Sequence, residues 1–262
     1  MMEDKKKGLL VVSFGTSYPK VLEKTIAVIE KELQETHPNR SLYRAFTSGM
    51  IIKKLEKTEN IIILNVEKAL EKMKAKGIED VLVQPTHVLN GIENDEMQNA
   101  VAKYKNAFSK LAIGAPLLTS PRDYKKMAEA VICYAKPKVD ETLILMGHGT
   151  GHHANSAYPA LEYTFRYMGY DNVLIGTIEG FPEFGDILKT LSKKSSKKLK
   201  LMPCLVVAGD HAQNDMAGEE EDSWKTLFTK AGYEVEILMT GLGELPAIRE
   251  IFKEHSKEAL KC

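Results

Sequence analysis

The sequence predicts an α/β protein of two similar doubly wound halves, each a parallel β-sheet flanked by helices. Short apolar runs that end in glycine or polar loops alternate with longer amphipathic stretches, a pattern typical of parallel strands joined by crossover helices. The order of these elements repeats between the first and second parts of the chain. A chain of 262 residues is long enough for two such units, each with its own core.

The apolar pattern places each element in turn. Short runs rich in Val, Ile and Leu predict strands at residues 8–13, 81–84, 111–115, 142–146, 173–177, 200–207 and 235–239. A 3.6-residue apolar period predicts helices at residues 19–35, 66–76, 123–135, 182–192, 223–230 and 246–260. Pro182 is expected at the first position of its helix, Ser223 is expected to cap another, and Gly232 follows that helix.

Sequence similarity between the halves supports a duplicated unit. The segment LLVVSFGTS near the start resembles LILMGHGT at residues 143–150, and each is an apolar run that enters a glycine-threonine loop. The alternative is chance similarity among strand-loop-helix units. We therefore predict an N-terminal half at residues 1–138 and a C-terminal half at 139–262 that carries the metal site. Ligands of open α/β sheets bind at the carboxyl ends of strands, so an active-site cleft is expected between the halves.

Composition excludes several classes of protein. The 36 basic and 36 acidic side chains balance, which argues against nucleic acid or an anionic membrane as the main partner. No apolar run is long enough to span a bilayer, and the run at residues 9–12 is too short for a signal-peptide core. Three scattered cysteines suggest neither a disulfide framework nor a thiolate metal site, so we expect a cytoplasmic protein.

Histidines concentrate in the loops that follow predicted strands. His148 comes directly after an apolar strand in GHGTGHH, between glycines that leave room for a ligand. His211 follows another strand in VVAGDHAQND, where Asp210 or Asp215 could orient its ring. Glu179 lies beyond a third strand of the same half. Two imidazoles and a carboxylate suit a divalent first-row ion with open coordination positions, as metal transfer requires.

The other histidines receive different predictions. His152 lies four residues after His148, so a helical turn would place both on one face, although a plain surface position is as reasonable for His152 and His153. His87 in QPTHVLNGIE is the first-half counterpart, with Glu93 nearby, and substrate contact or proton handling is favoured there over metal ligation. No specific role is expected for His37 and His255.

Other catalytic motifs are missing from the sequence. GTG at residue 149 and GLG at residue 241 lack the spacing of a dinucleotide-binding loop, and neither a Walker A segment nor a GxSxG elbow occurs. Nucleotide and organic cofactors are therefore not expected.

Several segments together resemble the anaerobic sirohydrochlorin cobaltochelatases, which belong with the class II chelatases and are similar in fold to ferrochelatase. The resemblance covers nearly the whole chain and rests on LLVVSFGTSY, RAFTSGMIIKKL, QPTHVLNGIE, APLLTS, LMGHGTGHHA, LMPCLVVAGDHAQNDMAG with EDSWK, and TGLGELPAIREIF. It implies that His148, His211 and Glu179 are the catalytic and metal-site residues. QPTHVLNGIE departs most from the family pattern around Pro85 and Glu93, which leaves the second proton acceptor open.

The resemblance implies insertion of Co²⁺, as substrate, into sirohydrochlorin or precorrin-2 in anaerobic cobalamin biosynthesis, without ATP. Nickel and iron suit the same ligands, so a chelatase for either metal remains an alternative. So do a non-catalytic metal-delivery protein and a metal-dependent hydrolase. The oligomeric state, including a homo-oligomer, is open. Residues expected to contact the tetrapyrrole are His87, Glu93, Ser13 and Arg44, with Lys53 and Lys54 at the rim.

Overall fold

The computed structural model describes residues 5–261, which contain eight β-strands and ten α-helices. The first part of the chain contains β1 (Lys7–Ser13), α1 (Pro19–Lys24), α2 (Ile26–Thr36), β2 (Ser41–Phe46), α3 (Gly49–Glu59), α4 (Val66–Ala75), β3 (Asp80–Pro85), α5 (Ile92–Ala102) and β4 (Lys110–Ile113). The second part contains α6 (Pro121–Ala135), β5 (Glu141–Gly147), α7 (Ala157–Tyr167), β6 (Val173–Thr177), α8 (Phe184–Leu191), β7 (Lys198–Pro203), α9 (Trp224–Lys230), β8 (Glu234–Ile237) and α10 (Pro246–Glu258).

The strands form two four-stranded parallel sheets, which confirms the predicted pair of doubly wound α/β halves. The strand order is β2-β1-β3-β4 in the first sheet and β6-β5-β7-β8 in the second. All six strand pairings are parallel. The inner strands β1 and β5 are almost entirely buried, as expected for strands covered by helices on both faces. Both sheets therefore present the ends of their inner strands as the ligand-binding edge.

The contacts divide the chain into two units whose boundary differs from the predicted division at 138/139. One unit consists of two segments, the chain up to Thr119 and the chain from Arg249 onward. The other unit is Ser120–Ile248. Helix α6 belongs to the second unit because it packs against α7. Helix α10 belongs to the first, because Arg249 Nε donates to Glu32 Oε1 at 2.7 Å. The predicted division thus missed an exchange of one helix at each end of the second unit.

Strand β2 was not predicted, and the long helix predicted at residues 19–35 is two helices. Strand β2 lies at the edge of its sheet, where Leu42 is exposed and Arg44 interrupts the apolar pattern. The helix breaks at Thr25, whose hydroxyl donates to the carbonyl of Val21. Such a local side-chain bond competes with helix continuation. Helices α3, α5 and α7 were also not predicted.

In the second unit, the prediction for Pro182 was wrong. Helix α8 begins at Phe184, and the preceding Glu183 caps it through a reciprocal bond with Asp186. The predicted strand 200–207 ends earlier, at Pro203. By contrast, Ser223 accepts a hydrogen bond from the N–H of Thr226 and caps α9 as predicted.

Each sheet packs against its helices through an apolar core of its own. Phe228 and Trp224 anchor the core of the second unit, and Leu70 and Met73 lie in that of the first. Within residues 5–261, no helix combines the length and apolarity needed to cross a membrane. The burial of these cores fixes the strand ends from which the candidate site is built.

Candidate functional site

His148 is the first residue after the buried strand β5, and the glycines on either side of it are required by close packing. A Cβ at Gly147 would lie 2.3 Å from the ring of Tyr158. Gly149 has a φ of +83°, and a Cβ there would lie 2.5 Å from the backbone nitrogen of Gly180. No side chain fits at such distances, so this loop packs directly on the loop that carries Glu179.

The backbone of the Glu179 loop is hydrogen-bonded to His148. The N–H of Glu179 donates to the carbonyl of His148 at 2.8 Å, and the N–H of Ile178 shares that acceptor at 3.1 Å. The side chain of Glu179 is 63% exposed, and its Oε2 lies 4.0 Å from His148 Nδ1. The two side chains therefore emerge next to each other from neighbouring strand ends.

His211 lies at the start of a short π-helical turn, Ala212–Met216, that follows β7. Its Nδ1 donates to Asp215 Oδ2 at 2.5 Å. This bond decides between the two predicted orienting residues, Asp210 and Asp215, in favour of Asp215. Short π-helical turns of this kind often occur at functional sites.

The two imidazoles present the same ring nitrogen for a ligand. His148 Nδ1 lies 2.9 Å from the carbonyl of Gly149, which can only accept, so Nδ1 carries the proton. His211 Nδ1 is engaged by Asp215 in the same way. Each neutral ring then has its lone pair on Nε2, the form that binds metals. The ring centroids are 4.8 Å apart and the planes cross at 82°.

The three predicted ligands meet in pairs and are not preassembled as a three-residue cage. Within residues 5–261, no group of three or more His, Cys, Asp and Glu side chains is close enough to hold a metal ion. Glu179 approaches the Nδ1 side of His148 and not its Nε2 side. A carboxylate this exposed reorients at little cost, so the two imidazoles form an open pair beside which Glu179 stays the predicted third ligand.

Asn155 joins the two ligand-bearing loops, and the sequence analysis missed it. Its Oδ1 accepts from the N–H of Thr150 at 3.1 Å, and its Nδ2 donates to the carbonyl of Phe181 at 2.6 Å. Thr150 lies two residues after His148, and Phe181 lies two residues after Glu179. The amide thus holds together the two loops that carry the ligands. A single polar residue in a surface turn gives no sequence signal for such a bridge.

Of the two placements considered for His152, a helical face shared with His148 and a plain surface position, the first does not occur, because residues 148–152 form a loop. His152 Nδ1 accepts a hydrogen bond from the N–H of Ala154 at 3.2 Å and so caps the short 3₁₀ turn His153–Ser156. With Nδ1 used as an acceptor, the neutral ring carries its proton on Nε2. His152 therefore supports the loop and offers no free lone pair to a metal.

His87, in the first unit, is buried at the end of β3 and has an unusual environment. Burial lowers the pKa of His87 to about 4, and Asn94 raises it by a smaller amount. Neither ring nitrogen of His87 and neither amide atom of Asn94 reaches a partner at hydrogen-bond geometry. His87 is thus a neutral, buried imidazole in contact with an equally unsatisfied amide.

The other residues predicted to contact substrate are less available. Ser13 is buried, and its Oγ accepts from Thr86 Oγ1 at 2.8 Å. Arg44 is held by both carboxylate oxygens of Glu30. Both side chains already have polar partners within the fold, which argues against direct substrate contact. Glu93 lies in the first turn of α5 and is partly exposed, so it remains accessible.

His37 and His255, for which no role was predicted, are buried structural residues. His37 Nε2 lies 2.8 Å from Ser256 Oγ and links α2 to α10. His255 Nδ1 lies 3.1 Å from the carbonyl of Ala115. Both histidines therefore fix α10 to the first unit.

Comparison with known proteins places the chain in a family. The model of the family described as cobalt chelatase (CbiK) matches residues 7–261. The chain belongs to this family. Its relative named sirohydrochlorin cobaltochelatase, from Salmonella typhimurium, is 41% identical over 257 residues, which cover 97% of each chain. Sirohydrochlorin cobaltochelatase CbiKC from Nitratidesulfovibrio vulgaris is 32% identical and covers 98% of this chain and 92% of its own.

Solved chelatase structures share the fold of this CbiK-family chain. SirB from Bacillus subtilis with Fe³⁺ superposes with a TM-score of 0.66 at 14% identity, covering 97% of this chain and 95% of SirB. CbiX, described as the terminal enzyme for biosynthesis of siroheme in denitrifying bacteria, gives a TM-score of 0.58 at 17% identity, covering 97% of this chain and 99% of CbiX. At these identities the likeness shows the fold alone.

The internal repeat identifies the first-unit counterparts of the three predicted ligands. In the first unit, the N–H of Ser48 donates to the carbonyl of Phe14, just as Glu179 donates to His148 in the second. Phe14 therefore matches His148, and Ser48 matches Glu179.

The third match follows from the loops after β3 and β7. The N–H of Thr86 donates to the carbonyl of Val12, and the N–H of Cys204 donates to the carbonyl of Met146 at the equivalent place. Seven residues after these matched positions the chain reaches Glu93 in the first unit and His211 in the second. The first unit thus retains the loop hydrogen bonds of the candidate site but carries no histidine at the three matched positions.

Proposed function

We propose that the protein inserts Co²⁺ into sirohydrochlorin, or precorrin-2, in anaerobic cobalamin biosynthesis, without ATP. The observation that carries the proposal is the pair of imidazoles, His148 and His211, whose Nδ1 atoms are engaged and whose Nε2 atoms are available to a metal. The names of the CbiK relatives support the substrate and the metal. The reaction needs no residue beyond metal ligands and proton acceptors.

Co²⁺, the substrate metal, is bound in this proposal by Nε2 of His148 and of His211, with Glu179 as the third ligand. Imidazole and carboxylate ligands suit cobalt, nickel and iron, and coordination positions remain open to pyrrole nitrogens. An exposed, mobile Glu179 can follow the ion and leave it without breaking a buried contact. Each exchange of ligands keeps the ion coordinated, so no step passes through a bare ion.

Insertion releases two pyrrole N–H protons, and the second unit supplies groups that can accept them. A histidine that has given up the metal accepts a proton at Nε2, because imidazole has a reference pKa of about 6.5. For His211, the hydrogen bond to Asp215 stabilises the resulting imidazolium. Glu179, beside His148, is the second candidate acceptor in the same unit. In the first unit, Glu93 stays a candidate for substrate contact or proton acceptance.

The carboxyl edge of the first sheet fits contact with the face of a tetrapyrrole. Phe14, Met50 and Ile92 follow β1, β2 and β3, and they are 42%, 76% and 46% exposed. Met50 and Ile92 lie in the first turns of α3 and α5, and apolar side chains this exposed after three neighbouring strands indicate a binding surface. A flat macrocycle gains most of its binding energy from apolar contacts of this kind, with a few polar groups for orientation.

The metal and the setting of the reaction belong to the same proposal. The ligand set alone does not separate cobalt from nickel or iron, and the family supports cobalt. A cytoplasmic setting is consistent with the exposed free thiol of Cys133, which would oxidise readily elsewhere. A metal-delivery protein, the second candidate function, would use the same two imidazoles but would bind metal without binding tetrapyrrole.

The experiment that tests the proposal follows the visible spectrum of sirohydrochlorin mixed with Co²⁺. We expect the protein to accelerate insertion, and we expect His148→Ala and His211→Ala to lose that acceleration while keeping the circular dichroism of the parent. Arg44→Ala serves as a control outside the metal site. Metal uptake without faster insertion would identify a metal carrier. Full activity in both histidine variants would overturn the site.

A further inference from the structure

The edge of the first sheet contains a lined groove. Strand β2 is the edge strand, and only its carboxyl end is covered, by a parallel bridge between Ala45 and Leu64. Along the rest of β2, residues 41–44, a cavity of about 560 Å³ separates the strand from residues 62–64 and from α4. A second cavity of about 350 Å³ continues it past Ser41 and Ile78.

The floor of this edge groove is apolar and exposed. Leu42 is 38% exposed and Ile62 is 74% exposed, and Ile63, Leu64 and Ile78 complete the lining. Exposed aliphatic side chains beside an open strand edge usually invite pairing with another chain, and proteins protect such edges when no partner is intended. Here the edge of β2 is protected only by the charged side chains that line the groove.

That charge is entirely positive. No carboxylate of the described residues lines either cavity, and none of the lining lysines forms an ion pair with a carboxylate within residues 5–261. The lysines that line the two cavities are Lys5, Lys6, Lys7, Lys72 and Lys76. Lys76 Nζ lies 5.9 Å from the ring centroid of Tyr43 and extends the groove wall. The chain as a whole has a formal net charge of zero, so this is a local concentration of positive charge.

The corresponding end of the second sheet has no such excess. Lys7 and Glu141 begin matching strands, and Glu141 lies 3.6 Å from Lys138 Nζ and 3.5 Å from Lys200 Nζ. Asp140 Oδ2 accepts from Lys198 Nζ at 2.9 Å. The second unit therefore pairs its lysines with acids at the start of its inner strands β5 and β7, whereas the groove lysines of the first unit form no such pair within residues 5–261.

One acid beside the first-unit lysines is already engaged. Asp80, which begins β3 beside Lys7, pairs with Arg40 through both carboxylate oxygens, at 3.0 and 3.1 Å. Arg44, which also lines the groove, pairs with Glu30. The arginines of this region are thus paired inside the fold, while the lysines of the groove form no ion pair with a carboxylate of residues 5–261.

We propose that this groove binds an extended acidic segment of a partner protein, which adds to the open edge of β2. The free edge supplies backbone hydrogen-bonding groups over four residues, about 13 Å at a rise of 3.3 Å per residue. Leu42, Ile62 and Ile63 receive the apolar side chains of the segment. The lysines contact its carboxylates, and their charge steers its approach.

The test measures binding of a synthetic peptide by fluorescence anisotropy. The probe is a fluorescein-labelled hexapeptide of alternating Val and Glu, compared with the same peptide carrying Lys in place of Glu and with an acidic peptide N-methylated at alternate amides. The proteins are the full chain, its Lys72→Glu/Lys76→Glu variant, and a Lys189→Glu/Lys193→Glu control. The control has the same spacing and charge change in the second unit, and thermal unfolding verifies that all three fold.

We expect the parent and the control to bind the acidic peptide but not the peptide that carries Lys, and this binding should weaken as salt is added. The Lys72→Glu/Lys76→Glu variant should bind the acidic peptide at least about tenfold more weakly than the parent does. N-methylation should weaken binding to a similar degree, because it removes strand hydrogen bonds. Equal binding by both double variants, or no binding by the parent, would overturn the proposal. Self-association of the parent that the groove variant loses, without peptide binding, would assign the groove to a second copy instead.

Discussion

The two sheets share their loop hydrogen bonds but differ in the side chains at three matching positions. The second unit carries metal-ligand residue types there, His148, Glu179 and His211. The first unit carries, at the same positions, Phe14, Ser48 and Glu93. The loop hydrogen bonds match, but Glu93 lies in the first turn of α5 whereas His211 precedes the π-helical turn Ala212–Met216, so the third position differs in backbone as well as in side chain. The second unit offers two imidazoles and a carboxylate at these positions, and the first unit offers an apolar ring, a hydroxyl and a carboxylate.

The comparison also separates what the fold requires from what the function requires. Gly15 and Gly149 both adopt positive φ, at +108° and +83°, because each loop packs against its neighbour with no room for a Cβ. Both units need this glycine, so it belongs to the fold. The position of His148, one residue earlier, is not restricted in this way, because the first unit has Phe14 there. We therefore attribute the histidine to function.

The largest expected effect comes from giving the second unit the first unit's residue. His148→Phe should lower the rate of cobalt insertion by about a thousandfold, near 4 kcal/mol in the barrier, because it removes a ligand without disturbing the loop backbone. The measurement is the initial rate of spectral change with sirohydrochlorin and Co²⁺. Ser48→Ala is the matched control, since it removes only a helix cap, worth about 1 kcal/mol of stability. A His148→Phe protein with the parent's rate would contradict the assignment.

The next effect concerns acid stability and His87, whose counterpart is Leu205. Burial lowers the pKa of His87 to about 4 from 6.5, so the unfolded chain takes up the proton first as the pH falls. The neutral His87 therefore contributes fully to the free energy of unfolding above pH 6.5, and this contribution is lost as the pH falls from about 6.5 to 4. The whole contribution is about 3 kcal/mol. His87→Leu should reduce the acid dependence of the unfolding free energy, measured in urea, by that amount. An unchanged dependence would show that His87 is not neutral in the fold.

A smaller effect is expected from Asp215→Asn. The amide keeps the size of the side chain but no longer favours the Nδ1–H tautomer of His211, so Co²⁺ binding should weaken by about 10- to 100-fold. Isothermal titration with Co²⁺ measures this change. Asp222→Asn, on the exposed segment before α9, controls for the lost charge and should bind as the parent does. Equal affinities in the two variants would remove Asp215 from the site.

The smallest effect is expected from Asn155→Ala, which breaks the bridge between the loops of His148 and Glu179. Two hydrogen bonds are lost but both predicted ligands remain, so Co²⁺ affinity should fall by only about three- to tenfold, at the lower end of what two hydrogen bonds contribute. Thr164→Ala, which removes an exposed hydroxyl bond within α7, is the control. An affinity equal to that of the parent would show that the backbone bonds between Glu179 and His148 suffice.

Much of the fold was predictable because buried parallel strands leave continuous apolar runs in the sequence. Strands β1, β5 and β6 coincide with such runs to within a residue. Strand β2 was not predictable in this way, since Leu42 and Arg44 reflect an exposed edge. The exchange of α6 and α10 between units depends on helix packing that no local pattern encodes.

The site was predictable to a similar extent. His148 and His211 stand out as polar residues between glycines or beside acids at strand ends, and the structure brings their rings together. The role of Asn155 could not be predicted, because it depends on a hydrogen bond to Phe181, which lies 26 positions later in the sequence. Nor could the burial of His87 be inferred, since its loop has the same polar appearance as an exposed one.

The central claim is that the second unit alone binds the metal, and anomalous diffraction at the cobalt edge tests it most directly. Crystals soaked in Co²⁺ should show one main peak about 2.0–2.3 Å from Nε2 of His148 and of His211, by analogy with other metal–imidazole bonds. Glu179 should have turned towards it. A peak at the loops of Phe14 and Glu93, or a main peak away from both histidines, would contradict the account.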